Sequence, residues 1–236
     1  MGRTITYADG TQALEGYFAP PPNPSTPGVL IAPTWLGITQ SIHQRAERIA
    51  AMGYAALALD VFGAGVHPAP PLKPQAVVHP FMSDRLMFRR RLKAGLEALQ
   101  QQPECDASRI AAIGYCFGGC AVLELARSGA PLRGVVSFHG ELDSPIPAQP
   151  GAIQGKILVL HGDADPVVPF ERLIQFRDEM HSSDTNWEID IYSGAKHSFT
   201  GEGAVGNITP EAGLNPQAEA RSWQTMLNFF QEVLQS

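Results

Sequence analysis

Residues 114–118 read Gly-Tyr-Cys-Phe-Gly. An apolar run from Arg109 to Ile113 precedes them, and a helical pattern from Phe117 to Arg127 follows. Gly-x-Cys-x-Gly between a strand and a helix is the nucleophile-elbow pattern, with Cys in place of Ser. The residue at the apex of such a turn sits in strained backbone geometry, so its neighbours two positions away must be small. Gly114 and Gly118 meet that need, and Gly119 leaves room for close helix packing. A helix starting near Phe117 aims its first N–H groups at the Cys116 sulfur, which favours the thiolate form. Cys105 and Cys120 lack this context and read as small buried apolar residues, although Cys120 stands one helical turn after Cys116.

An activated cysteine needs a base, and the base needs a carboxylate to orient it. "VLHGDADPVVP" places Asp163 and Asp165 in the loop after one strand, and "YSGAKHSF" places His197 after the next. The resulting chain order, nucleophile then acid then histidine, is that of α/β-hydrolases. Asp165 is the preferred acid because Pro166 stiffens the turn that aims it. Asp163 is its rival, and its plainer reading is a loop carboxylate that accepts backbone N–H groups. His161 reads as a brace for its loop and His139 as a pocket residue. Among His43, His67, His79 and His181, only His79 lies in a segment of interest. No His, Cys and Asp spacing suits zinc, and no glycine-rich phosphate loop follows a strand, so neither metal nor nucleotide cofactor is expected.

These groups must be held at strand ends by a larger frame. Arg3 to Tyr7 and Glu15 to Phe18 read as a hairpin turning at Asp9-Gly10. "VLIA", Tyr54 to Phe62, Arg109 to Ile113, Gly134 to His139, Lys156 to Gly162 and Trp187 to Tyr192 read as strands. Helices are expected from Ser41, as N-cap, to Met52, and over Asp84–Gln101, Phe117–Arg127, Phe170–His181 and Pro216–Gln235. The Pro-rich stretch from Gly63 to Pro80 shows little periodicity and reads as a lid or pocket wall. Strands alternating with helices predict one α/β domain over residues 1–236, with a mostly parallel sheet covered on both faces and an antiparallel N-terminal hairpin. Polar residues just past the strands are Thr34, Asp60, Cys116, His139, His161, Asp163, Asp165 and, a little further on, His197. Sites in open α/β sheets collect there.

The 236 residues are 44% hydrophobic and 17% charged, which suits a globular chain with a buried core. The net charge of -6 disfavours nucleic acid or an anionic membrane as partner. The basic run Arg89-Arg90-Arg91-Lys93 reads as a solvated helix face. No secretory h-region or run of about 18 apolar residues is visible. With three cysteines, this points to a cytoplasmic protein with free thiols. A monomer or dimer is expected.

"IAPTWLG", "GYCFGG", "HGDADPVVP" and "AKHSF" together resemble the dienelactone hydrolase family. The resemblance runs from "VLIAPTWLG" to the final helix. It implies an α/β-hydrolase fold and cofactor-free hydrolysis of a small ester or lactone through a Cys–His–Asp triad. Cys116 would be the nucleophile, His197 the base and Asp165 its orienter, with the backbone N–H groups of Trp35 and Phe117 as the oxyanion hole. Two departures stand out. Thr34 occupies the place of a family Glu associated with holding the resting thiol neutral, so Cys116 is expected to rest nearer a thiolate–imidazolium pair. Ser198 is kept after the histidine, but Gly201 stands where the family has an Arg that grips a substrate carboxylate. Arg85 is a loosely aligned counterpart for a second Arg, or else a solvated helix-start charge. Thr34, Arg85, Ser198 and Phe199 are therefore the substrate-binding candidates, and Trp35, Phe62, Phe81, Phe117 and Phe199 would form an apolar pocket. The leading expectation is a hydrolase of carboxylic esters or lactones that works through an acyl-enzyme. The alternatives are a true dienelactone hydrolase (carboxymethylenebutenolidase) acting on anionic lactones, and a non-hydrolytic ligand-binding or thiol redox-switch protein using Cys116 and Cys120.

Overall fold

The structure is a computed structural model and describes residues 2–202 and 212–235. Eight strands form one sheet: β1 (Arg3–Asp9), β2 (Gln12–Ala19), β3 (Thr26–Ala32), β4 (Ala55–Ala58), β5 (Cys105–Tyr115), β6 (Gly134–Phe138), β7 (Lys156–Gly162) and β8 (Trp187–Tyr192). Their spatial order is β1-β2-β4-β3-β5-β6-β7-β8. β1 and β2 pair antiparallel with Asp9 opposite Gln12, and β2 pairs antiparallel with β4. Every pairing from β4 to β8 is parallel. This is the mostly parallel α/β sheet that the alternating pattern predicts, in the α/β-hydrolase form that the family resemblance implies.

The parallel strands are near-continuous apolar runs because helices bury both faces. One face packs against α2 (Pro74–Ser83), α3 (Arg85–Gln100), α4 (Phe117–Arg127) and α5 (Phe170–Ser182), through side chains such as Phe88, Leu92, Val122 and Phe176. The other packs against α1 (Gln40–Ala51) and α6 (Pro216–Leu234), through Ile42, Ile49, Trp223, Met226 and Phe230. The strand order reverses beside β3: its chain successor β4 lies on one side and β5 on the other. That crevice, at the carboxyl ends of the strands, is where such sheets place a site.

Four local expectations are corrected. Thr39, not Ser41, caps α1: its Oγ1 accepts from Ile42 N–H, while Ser41 Oγ donates to Glu202. The strand expected over Tyr54–Phe62 shortens to β4, because the Asp60 carboxylate takes the N–H groups of Phe62 and Gly63 and turns the chain. Part of the Pro-rich stretch folds as α2, with Pro74 in its first turn. Its apolar pattern is weak because only Phe81 is buried. The basic run on α3 is not a solvated face. Arg89 and Arg91 are buried, Arg89 paired with Glu124 at 2.8 Å and Arg91 with Asp9 at 3.0 Å. Only Arg90 and Lys93 of that run stay exposed.

Candidate active site

β5 ends at Tyr115 and α4 begins at Phe117, so Cys116 alone makes the turn. Its backbone has φ 54° and ψ -116°, a conformation that costs an L-residue about 1–3 kcal/mol. Close packing keeps it there. A Cβ on Gly114 would collide with the Gly118 carbonyl, and one on Gly118 would collide with the Ala32 carbonyl of β3. The helix is thus seated directly on the two central strands, and the Cys116 side chain is raised above their ends.

Sequence positions 81 and 32 residues apart meet at that thiol. His197 Nε2 lies 3.1 Å from Cys116 Sγ, and His197 Nδ1 lies 2.9 Å from Asp165 Oδ2. The other oxygen, Asp165 Oδ1, accepts the N–H groups of Val167 and Val168 at 2.8 and 3.0 Å. Those two bonds close the Asp-Pro turn and fix the carboxylate that faces the imidazole. Burial by itself would lower the pKa of His197. The hydrogen bonds to Asp165 and Cys116 outweigh it and push the value up to about 10. Asp163 points elsewhere, its carboxylate accepting from Gly194 N–H at 2.5 Å in the exposed part of the loop.

Thr34 is buried and does not line the cavity. Its Oγ1 accepts from Leu36 N–H at 3.3 Å and its carbonyl accepts from Gly37 N–H at 3.0 Å. Gly37 has φ +70°, which this turn needs and a side chain disfavours. The turn carries Trp35 to the cavity wall, which Phe117 at the start of α4 also lines. Phe117 N–H is the first amide of that helix, so no intrahelical carbonyl takes it.

His139, at the end of β6, was in the strand-end set but its task was not legible there. It lies behind the elbow rather than in the pocket. Cys116 N–H is shared between Phe138 carbonyl, at 3.0 Å, and His139 Nδ1, at 3.1 Å. An accepting Nδ1 leaves the proton on Nε2, which donates to Thr200 Oγ1 at 2.8 Å. Burial, then the charges of His197 and Arg45, hold His139 well below the usual imidazole pKa. Its ring meets His197 edge-on with centroids 5.3 Å apart. A neutral imidazole therefore pins the turn beneath the thiol while a second one faces it. His161 is also buried, and its Nδ1 has no hydrogen-bond partner among the described residues.

The thiol opens into a cavity of about 680 Å³. Trp35, Phe117, Leu72, Val78, Met82 and Val168 supply most of its apolar wall. Cys116, His197 and Ser198 stand at its chemical end, and Cys120 and Glu141 lie further along. The Pro-rich stretch and α2 serve as the pocket wall its length suggests. Of the substrate-binding candidates only Ser198 reaches the cavity. Phe199 is fully buried against His139 and Tyr192. Phe62 and Phe88 each stack on Phe117, and Phe81 meets Phe62 edge-on, so neither Phe62 nor Phe81 lines the cavity. Arg85 is 5% exposed and does not line the cavity: Nη1 contacts Met82 Sδ at 2.7 Å, and Nε lies 3.9 Å from Glu124 without a hydrogen-bond partner among the described residues. His79 does not line the cavity.

Among the described residues no group of three His, Cys, Asp or Glu side chains is gathered to hold a metal ion, and no helix is long and apolar enough to cross a membrane.

Comparison with known proteins places this geometry in a family. The solved structure of m3DLH superposes with a TM-score of 0.94 at 38% identity, covering 99% of this chain and 98% of that one. A dienelactone hydrolase-like promiscuous phosphotriesterase from metagenomic libraries superposes with a TM-score of 0.89 at 37% identity, with the same 99% and 98% coverage. An uncharacterized protein of Caenorhabditis elegans is 36% identical over 146 residues, spanning 61% of this chain and 92% of its own. The model of the dienelactone hydrolase family matches residues 14–234, so the chain belongs to the dienelactone hydrolase family.

Proposed function

We propose that the protein hydrolyses small carboxylic esters or lactones through a cysteine acyl-enzyme. The observation that carries this reading is the continuous line from Asp165 Oδ2 through His197 to Cys116 Sγ, with steps of 2.9 and 3.1 Å, beneath a strained elbow at the head of a helix. A thiol, a base and an orienting acid at those distances form an activated nucleophile.

The steps follow from the atoms. The Cys116 sulfur, its proton held by His197 Nε2, attacks the carbonyl carbon. An S–C bond forms and the carbonyl oxygen takes the negative charge. The backbone N–H groups of Phe117 and Trp35, both on residues lining the cavity, are the candidate donors to that oxygen, and donors aimed at a developing oxyanion are a large catalytic term. The C–O bond to the alcohol breaks, and His197 delivers its proton to the leaving oxygen. Water then attacks the thioester, giving a proton to His197. The acid departs, and sulfur and imidazole return to their starting state. Asp165 holds Nδ1–H throughout and stabilises the imidazolium. The site supplies every proton the sequence needs.

The thiol-switch alternative is disfavoured by Cys120, because burial pushes its thiol up to about 12 and so suppresses the thiolate that disulfide exchange uses. The test is direct. On mixing with p-nitrophenyl acetate, intact-protein mass spectrometry is expected to show one acetyl adduct, mapped to Cys116 and absent from Cys116→Ala. An unchanged rate of p-nitrophenol release by Cys116→Ala would overturn the reading.

A further inference from the structure

The cavity beside the thiol carries few charged side chains. Among the described residues no Lys or Arg lines it. Arg85 does not line it and lies behind Met82, with Nη1 2.7 Å from Met82 Sδ and Nε 3.9 Å from Glu124. Glu141 is the acidic side chain in the wall among the described residues.

Glu141 is held there by backbone packing. Gly140, just before it, lies so close to Gly119 and Cys120 that a Cβ would stand 2.6 Å from the Gly119 carbonyl carbon and 2.7 Å from Cys120 N. The loop after β6 is therefore seated on the first turn of α4. Glu141 comes to the wall beside Cys120, one helical turn from the reacting sulfur. Its Oε1 accepts Leu142 N–H at 3.2 Å, and its one ion-pair partner among the described residues is shared. Arg172 of α5 reaches Glu141 Oε1 at 3.8 Å and Asp143 Oδ2 at 3.1 Å, so one guanidinium serves two carboxylates. That Arg172 side chain is 37% exposed, which weakens its screening further. Glu141 thus puts an acidic group in the wall of a largely apolar cavity, where a second carboxylate beside it is repelled more than in water.

We propose that Glu141 sets the charge selectivity of this site, so that it takes esters and lactones with an uncharged acyl group and rejects those carrying a carboxylate. The assignment rests on the hydrolase reading above. It names a specificity residue on the loop after β6 and a neutral, apolar substrate class.

The test compares two esters of one length, p-nitrophenyl butanoate and mono-p-nitrophenyl succinate, in which a carboxylate replaces the terminal methyl. In the unaltered protein kcat/KM should favour the butanoate. Glu141→Gln should shrink that preference about tenfold, mainly by improving the succinate. Arg172→Gln should move it the other way, by about two- to threefold, because it uncovers Glu141. The second variant lies on the outer side of α5 and keeps the question answerable if the first folds poorly. Equal use of both esters by the unaltered protein, or a preference that neither variant shifts, overturns the assignment. Those results are distinct from failure of the hydrolase reading, which would appear as release of p-nitrophenol that does not depend on Cys116.

Discussion

α4 carries two buried sets of ionic groups. At its N-terminus Cys116 meets one imidazole, and that imidazole meets one carboxylate. Two turns along, Glu124 is wholly buried among Arg89 at 2.8 Å, Arg127 at 3.3 Å and Arg85 at 3.9 Å, and Arg127 continues to Glu179 at 2.7 Å. Both sets are desolvated, and both gather acids with bases. They differ in what the base can do. Guanidinium groups stay protonated at any working pH, so the Glu124 set can only hold α3, α4 and α5 together. Imidazole can give up its proton, so the Cys116 set can transfer one. The same burial that fixes one set tunes the other.

The contrast can be broken from either end. Cys116→Ala is expected to have the largest effect, lowering ester turnover by about 10⁴-fold or more while thermal unfolding changes little. Steady-state kinetics and calorimetry on the same sample check both halves. Asp165→Asn should cost about 10³- to 10⁴-fold in kcat, because an amide favours the wrong imidazole tautomer. Glu124→Leu leaves three guanidinium groups without their shared acid, and urea unfolding should show a loss of about 3–5 kcal/mol. A loss under 1 kcal/mol would mean the set is not holding the helices.

The pH dependence sharpens the comparison with a smaller effect. The folded pKa of His197, pushed up to about 10, exceeds the ordinary 6.5. Its contribution to stability is thus fully present below about pH 6.5 and is lost as pH rises through about 10. Unfolding temperatures between pH 7 and 10.5 should fall more steeply for the unaltered protein than for Asp165→Asn, which lacks the raising partner. Parallel profiles would argue against it. The smallest effect belongs to the surface: Glu104→Gln breaks the exposed pair with Arg3 at 3.0 Å and should change stability by less than about 1 kcal/mol.

The two histidines of the site show how much was legible beforehand. His197 follows a strand, after Cys116 and Asp165 in chain order, and that pattern was enough to single it out. His139 also ends a strand, but no short pattern says that its Nδ1 would accept the N–H of Cys116. Arg85 shows the opposite failure. Placed by a loose alignment as a substrate clamp, it turns toward Glu124, a residue whose acid lies inside an apolar helical run and gave no local sign of three partners. Thr34 stands in the expected loop, yet it shapes the turn under Trp35 instead of facing the cavity.

Short windows of the sequence by themselves determined the elbow, the alternation of strands and helices, and the order nucleophile, acid, histidine. These depend on backbone sterics and on apolar periodicity over a few residues, which are local properties. Only the tertiary structure decided which charges meet, which candidates face the cavity, and that an acid rather than an arginine stands in its wall. Glu141 is set against α4 by contact with residues some twenty positions earlier, and Glu124 finds Arg89 across 35. Electrostatic character follows distance in space, and distance in space is fixed only when the sheet and its covering helices close together.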